Sequence, residues 1–144
     1  VVYGDVSAMG WVGDGTALSS ADARRWIEVT QANYEQRGYG MSAVSLRSTA
    51  EVLGFCGLVH PGGQLAAEVK YAFRRSCWGQ GLATEAVGGM LAYGQEQHGM
   101  QGIIATVHPD NLASQRVLGK VGMQLAETQV HEDSSSTLLF RTTD

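Results

Sequence analysis

The stretch of sequence that decides the fold spans residues 71–85 and reads YAFRRSCWGQGLATE. Its first three residues end a strand that alternating side chains predict over residues 65–73. Gly79 and Gly81 follow in a short loop, where a helix is predicted to begin and to continue to about residue 97. The sequence therefore predicts a strand, a glycine-containing loop and a helix in direct succession.

This junction is suited to binding an anion. The first backbone N–H groups of a helix have no partner within the helix, and the helix dipole places roughly half a positive charge at that end. Glycine at positions 79 and 81 lets a phosphate approach the backbone without a Cβ in the way. Thr84 can add a hydroxyl, and Arg74 and Arg75 lie just upstream as candidate phosphate partners.

From the residues alone, three interpretations of this loop stay open. The simplest is a helix start with flexible glycines and two solvated arginines. The second is a dinucleotide site, although Thr84 occupies its third glycine position and the loop follows three strands rather than opening a βαβ unit. The third is a pyrophosphate site for coenzyme A. A P-loop is excluded, because no Gly-Lys-Ser/Thr follows.

The segments on either side of the loop predict a mixed α/β sheet covered by helices. A first helix is expected from about Ser20 until Gly38 ends it, and a short third helix is expected from Asn111 to about Lys120. The helix after the loop is expected to bury an apolar stripe of Leu82, Ala86, Met90 and Tyr93. Strands are predicted at residues 41–46, 52–58, 65–73, 103–107, 123–130 and 137–142.

Length and composition predict one domain over residues 1–144, with no internal repeat or linker. The net charge of −4 and pI near 5.5 argue against nucleic-acid and anionic-membrane partners. No signal peptide and no long apolar run are recognisable. Cys56 and Cys77 fit no disulfide or metal spacing, and the four histidines are not spaced as metal ligands. We therefore expect a cytoplasmic protein without a metal.

Two blocks of the chain resemble the GNAT superfamily of acyl-CoA N-acyltransferases. The first is WGQGLATEA at residues 78–86, preceded by EVKYAF at residues 68–73; the second is NLAS at residues 111–114, followed by RVLGKVGM at residues 116–123. A weaker third block is GFCGL at residues 54–58. The resemblance covers about residues 55–125 and is strongest to the RimJ/RimL-like branch, the N-terminal acetyltransferases of ribosomal proteins.

Two features depart from that family's pattern. Ser76 stands where the pyrophosphate loop of the superfamily usually begins with Gln or Arg, so one side-chain contact to the cofactor is absent from the pattern. The branch also usually opens with a strand before its first helix, and no such strand is recognisable here. The expected fold is therefore the GNAT fold without its first strand.

The resemblance implies a central twisted sheet whose strands at 65–73 and 103–107 splay apart to admit acetyl-CoA as co-substrate. It implies that the pantetheine and thioester lie against Tyr71, Ala72 and Phe73. The remaining cofactor-binding residues that it implies are Arg74, Arg75, Trp78, Gly79, Gln80, Gly81, Leu82, Ala83, Thr84, Asn111, Ser114 and Arg116.

For the chemistry, Glu68 is the leading candidate for the general base and Ser114 for the proton donor to the departing sulfur. Each has a plainer alternative. Glu68 could be an exposed carboxylate on a polar strand face, whereas Asn111 and Ser114 are also residue types expected at a helix start. Arg116 and Lys120 could meet the adenosine phosphates or be solvated helix charges.

The function expected from this resemblance is transfer of an acetyl group from acetyl-CoA to a primary amine by direct attack. The acceptor is a protein N-terminus or a small-molecule amine, and the oligomeric state is a monomer or a homodimer. The alternative from another class is a non-catalytic module that binds or senses acyl-CoA. A dinucleotide-binding protein ranks third.

Overall fold

A computed structural model describes residues 20–143 of the chain. The helices are α1 (Ser20–Arg37), α2 (Leu82–His98) and α3 (Leu112–Lys120). The strands are β1 (Met41–Ser45), β2 (Val52–Val59), β3 (Glu68–Phe73), β4 (Ile104–Val107), β5 (Gln124–Val130) and β6 (Ser136–Arg141). This is the predicted order of elements. The expected absence of a strand before the first helix concerns residues 1–19, which lie outside the described residues.

Two elements begin about three residues later than predicted. Strand β3 begins at Glu68 rather than at residue 65, because its pairing with β2 ends at Glu68 opposite Val59 and Leu65 is fully exposed. Helix α2 begins at Leu82 rather than at Gly79. Both Gly79 and Gly81 have φ of +78°, which is incompatible with helical backbone.

In the described chain the strands form one mixed sheet in the order β1-β2-β3-β4-β6-β5. Every neighbouring pair is antiparallel except β3 and β4, which are parallel and pair at a single position, Glu68 with Ile104. Beyond that position the two strands no longer pair. We call the gap between residues 69–73 and 105–107 the wedge. The splay implied by the family resemblance is therefore present.

Helices cover both faces of the sheet. On one face α2 and α3 pack against a core that includes Cys56, Leu58, Val69, Ile103, Ala105, Leu118 and Phe140. On the other face α1 packs through Trp26, whose ring lies 5.2 Å from that of Phe55. No helix within residues 20–143 has the length and apolarity needed to cross a bilayer.

The predicted apolar stripe of α2 is confirmed at three of its four positions, because Leu82, Ala86 and Met90 are partly buried and pack against the core. The most deeply buried positions lie beside it on the helix. The buried positions are Val87, Leu91 and Gly94, whereas Tyr93 is exposed and bonds through its hydroxyl to Nε2 of His98 at 3.0 Å. Gly94 is buried because this end of the helix lies close to the sheet. An added Cβ there would lie 2.8 Å from Cδ1 of Leu58, so the glycine lets this end of α2 approach the sheet closely.

Candidate active site

A cavity of about 610 Å³ occupies the wedge. Its walls come from β3, the loop before α2, the first turn of α2, β4 and α3. Of the predicted site residues, those that line it are Glu68, Tyr71, Ala72, Phe73, Trp78, Gly79, Gly81, Leu82, Ala83, Thr84, Asn111, Ser114 and Arg116. The fold thus brings most of the predicted residues, which are separated along the chain, around one space.

Three predicted cofactor residues, Arg74, Arg75 and Gln80, do not line the cavity. Nη1 of Arg74 is 2.9 Å from Oε1 of Glu51, so this guanidinium already has a carboxylate partner. The side-chain amide of Gln80 donates to the carbonyl of Ser76 at 2.9 Å. Contacts between these three side chains and a cofactor therefore remain predictions.

The glycine loop presents the start of α2 to the cavity. Gly81 is the N-cap residue, and no side chain accepts a hydrogen bond from the first turn there. No atom outside the neighbouring residues lies within 4 Å of an ideal Cβ at Gly79 or Gly81, so the backbone faces open space. The indole of Trp78 donates to the carbonyl of Phe73 at 3.0 Å and fastens the loop to the end of β3. This geometry suits a phosphate group at the helix N-terminus.

Glu68 lies at the closed end of the wedge and is buried, with 4% of its surface exposed. Oε2 accepts a hydrogen bond from Oγ1 of Thr106 at 2.9 Å and lies 3.9 Å from Nζ of Lys70. Oε1 accepts a longer hydrogen bond, of 3.4 Å, from the amide of Gln64. A buried carboxylate needs such partners because burial otherwise costs several kcal/mol. The alternative of a solvated carboxylate on an exposed strand face is thereby excluded.

Tyr71 and Ser114 form a hydroxyl pair across the cavity, between β3 and α3. Burial raises the pKa of the Tyr71 phenol to about 12, although the hydrogen bond with Ser114 opposes the rise. The phenol therefore stays protonated at neutral pH. The pair is equipped to carry a hydroxyl proton toward an atom that lies beside Ser114.

Asn111 is the N-cap residue of α3, which is the structural alternative expected for an asparagine at a helix start. Its side-chain oxygen accepts a hydrogen bond from the backbone N–H of Ser114 at 3.1 Å, which caps α3. The cap also sets the position of Ser114, because both residues lie in the first turn of the helix. A direct contact between Asn111 and a cofactor remains a prediction.

Sequence reasoning missed two polar residues of the site, Lys70 and Thr106, which both line the cavity. Alternation along the strand puts Lys70 on the same face as Glu68, but it indicates no role for the lysine. Thr106 lies on β4, and its contact with Glu68 depends on which strands are neighbours in the sheet. A carboxylate and a lysine two residues apart on one strand face would have been the available signal.

The histidines take no part in the cavity wall. His60 supports the loop before β3: its Nδ1 donates to the carbonyl of Gln64 at 3.0 Å, and its Nε2 accepts from the hydroxyl of Tyr39 at 2.6 Å. This bonding holds Gln64 in place beside Glu68. Within residues 20–143, no group of three or more His, Cys, Asp or Glu side chains is arranged to hold a metal ion.

Comparison with known proteins decides the family. The family model described as "Acetyltransferase (GNAT) domain" matches residues 1–124. The chain belongs to the GNAT acetyltransferase family. Among curated relatives, the uncharacterized protein YkkB of Bacillus subtilis is 37% identical over 109 residues, which is 73% of this chain and 62% of that protein. This GNAT chain therefore spans less than two thirds of that relative's length.

Solved GNAT structures share the fold. A putative GNAT-family acetyltransferase from Bordetella pertussis superposes with a TM-score of 0.78 at 22% identity, covering 88% of this chain and 78% of that one. RimL, described as a ribosomal L7/L12 α-N-protein acetyltransferase in complex with coenzyme A, gives a TM-score of 0.74 at 17% identity, covering 87% and 73%. At these identities the likeness concerns the fold, and the GNAT fold predicted from the sequence is confirmed.

Proposed function

We propose that this GNAT domain is a cytoplasmic, acetyl-CoA-dependent N-acetyltransferase that acts on a primary amine by direct attack. One observation carries the proposal. A single cavity combines an uncapped, glycine-flanked helix start with a buried carboxylate and a hydroxyl pair. The helix start suits the pyrophosphate, and the polar side chains suit the chemistry.

Acetyl-CoA supplies the activated acetyl group as a thioester. Glu68 accepts a proton from the amine, directly or through a water molecule, so that the nitrogen can attack the carbonyl carbon. Ser114 donates a proton to the sulfur as the C–S bond breaks. Tyr71 then donates its phenol proton to Ser114, and the phenol takes up a new proton from solvent. The wedge holds the two reactants at the same place, which lowers the entropic cost of the encounter.

The acceptor is a protein N-terminus or a small-molecule amine. Likeness in fold to RimL, which is described as an α-N-protein acetyltransferase, supports a peptide amine. The likeness in fold to RimL also supports assignment to the RimJ/RimL-like branch, and so do the sequence blocks at 78–86 and 111–114. The acceptor is tested by comparing turnover of three compounds. These are a peptide with a free α-amino group, the same peptide with that group blocked, and a small polyamine.

The first test is thermal unfolding with acetyl-CoA, using NADH and ATP as controls. A ligand at about 100 times its dissociation constant adds about 2.7 kcal/mol, which raises the midpoint by several degrees in a domain of this size. We expect a rise with acetyl-CoA alone. No rise at millimolar acetyl-CoA would contradict the proposal, and a rise with NADH alone would favour a dinucleotide protein.

The second test separates an enzyme from a non-catalytic acyl-CoA-binding module. Release of coenzyme A thiol is followed with a thiol-reactive dye while amines are varied. Both Cys56 and Cys77 are buried, so the protein contributes little background. Binding without thiol release from any amine would favour the binding module. The buried Glu68 within the cavity is the observation that favours the enzyme.

A further inference from the structure

Lys70 places an amine of the protein itself inside the candidate active site. It lies on β3 between Glu68 and Ala72, lines the cavity, and has 47% of its side chain exposed. Its Nζ is 3.9 Å from Oε2 of Glu68. The position is two residues past the single β3–β4 pair, where the wedge has opened. An amine beside the candidate base, on a residue that lines the cavity, has two of the properties that an acceptor needs.

We propose that the domain acetylates its own Lys70. The inference rests on the proposed function, because it uses the same base and the same thioester. Glu68 removes a proton from Nζ, and the nitrogen lone pair attacks the thioester carbonyl. The C–N bond forms, the C–S bond breaks, and the sulfur takes up a proton. The sulfur receives the second proton of the nitrogen, and Glu68 releases the first to solvent. The products are Nε-acetyl-Lys70, coenzyme A thiol and one proton, so atoms and charges balance without a further reagent.

Acetylation would change the site electrostatically. The ammonium of Lys70 is the cation nearest to Glu68 in the described structure, and the other polar groups that face this carboxylate, Thr106 and Gln64, are neutral. An acetylated Lys70 carries no charge. Glu68 would lose its ionic partner, and the space beside it would no longer repel a cationic amine.

The chain provides its own control, because it contains two lysines, Lys70 and Lys120. Lys120 lies exposed at the end of α3 and lines the other side of the cavity. The full chain is incubated with acetyl-CoA without any added amine, digested, and both lysines are quantified by mass spectrometry. General-base catalysis contributes a factor of about 100 or more, so we expect acetylation of Lys70 to exceed that of Lys120 by about that factor.

Two variants and one dilution series sharpen the test. Glu68→Gln keeps the shape of the side chain, and acetylation of Lys70 should fall to the level of Lys120. Lys70→Arg keeps the charge, and thiol release in the absence of an added amine should disappear. The initial rate per molecule should not depend on protein concentration, since donor site and acceptor belong to the same chain. Circular dichroism confirms that each variant is folded.

The outcomes separate this inference from the proposed function. A thermal shift with acetyl-CoA and turnover of an added amine, with Lys70 unmodified, would overturn the inference alone. Absence of both the thermal shift and thiol release would overturn both. If both lysines are acetylated equally, and Glu68→Gln does not change this acetylation, the reaction is chemical acetylation by the thioester. That result would also overturn the inference.

Discussion

At the scale of single residues, Glu68 joins two properties that rarely coincide. It is buried within the sheet, and it still faces a cavity large enough for a substrate. Charged side chains are almost never fully buried unless they are paired, and Glu68 has Thr106 and Lys70 as partners. A buried carboxylate in a cavity is a candidate for catalysis, which supports the proposed role of Glu68 as the general base.

We expect Glu68→Gln to lower turnover by a factor of about 100 to 10,000, the range for loss of a general base. The amide can still accept the hydrogen bond from Thr106, so the affinity for acetyl-CoA should change little. Turnover is measured by thiol release and affinity by ligand-dependent thermal unfolding. Glu127→Gln, which removes an exposed carboxylate on β5, is the matched control. Equal turnover in the two variants would contradict the role of Glu68.

A second prediction at this scale concerns the hydroxyl pair. Ser114→Ala and Tyr71→Phe each remove one partner of the same hydrogen bond, and Ser114→Ala should lower turnover more than acetyl-CoA affinity. Because both changes break one proton path, the double variant should be little slower than Ser114→Ala alone. Independent, multiplicative losses of turnover would show that the two hydroxyls do not act together.

The sequence predicted some of these residues and not others. Glu68, Tyr71 and Ser114 were found because they lie in or beside recognisable motifs. The contacts of Lys70 and Thr106 with Glu68 were missed. Thr106 lies 38 residues after Glu68 in the chain, and their hydrogen bond exists only because β3 and β4 are adjacent.

At the scale of elements, helix α2 offers a test of its N-terminus. Gly81→Ala would force a non-glycine residue to φ of +78°, at a cost of about 1 kcal/mol in stability. Its Cβ would project into the open space before the helix, and we expect the affinity for acetyl-CoA to fall about tenfold. Calorimetric titration measures this.

The matched control is at the opposite end of the same helix. Gly99 has φ of +61°, open space for a Cβ, and no place in the cavity wall. Gly99→Ala should therefore cost similar stability and leave the affinity unchanged. A similar loss of affinity in both variants would mean that backbone strain, rather than the phosphate site, was responsible.

The packing of α2 gives a further prediction. In Gly94→Ala the new Cβ would lie 2.8 Å from Cδ1 of the fully buried Leu58 and 2.9 Å from the sulfur of Met100. Overpacking of about 1–3 kcal/mol should outweigh the gain in helix propensity of about 1 kcal/mol. Gly89→Ala, with no atom within 4 Å of its Cβ, should instead stabilise the protein. Urea unfolding of the two variants should show shifts of opposite sign.

This helix also shows why element-level prediction was incomplete. Its start and end were predicted within a few residues, because glycines with positive φ terminate it on both sides. Its buried face was predicted only in part: Leu82, Ala86 and Met90 pack against the core, but an apolar stripe does not include a glycine. Here Gly94 is buried and Tyr93 is exposed, and only the close approach of Leu58 reveals the reason.

At the scale of the whole molecule, a buried thiol and a buried phenol make the stability of the fold decrease at alkaline pH. Burial raises the pKa of the Cys56 thiol from 9.0 to about 12 and that of the Tyr71 phenol from 10.0 to about 12. Below pH 9 both groups are protonated in the folded and unfolded chains, and their contribution is fully present. Between these values the unfolded chain ionises first, so the free energy of unfolding falls as pH rises.

We expect urea unfolding to show a loss of stability between about pH 9 and about pH 12. Cys56→Ala lowers stability at every pH by creating a cavity, but its loss across this range should be smaller than in the unaltered protein. The comparison isolates Cys56, because the other tyrosines and the lysines are common to both proteins. Parallel pH profiles would contradict the assigned thiol shift.

More of the overall architecture than of the site could be predicted from the sequence. The alternation of apolar residues and the glycine signals gave the order α-β-β-β-α-β-α-β-β, and the structure has it. The resemblance implied splayed strands, whereas neither source indicated that a single pair, Glu68 with Ile104, joins the two halves of the sheet. Register depends on long-range contacts, which a local pattern does not encode.

The wedge gives this sheet two interior edges in addition to its outer ones. Edges with unpaired backbone groups attract any extended chain, and partly unfolded proteins aggregate through them. In the proposed complex the pantetheine chain occupies this gap and covers both edges. We therefore expect bound acetyl-CoA to slow both proteolysis and self-association of the domain.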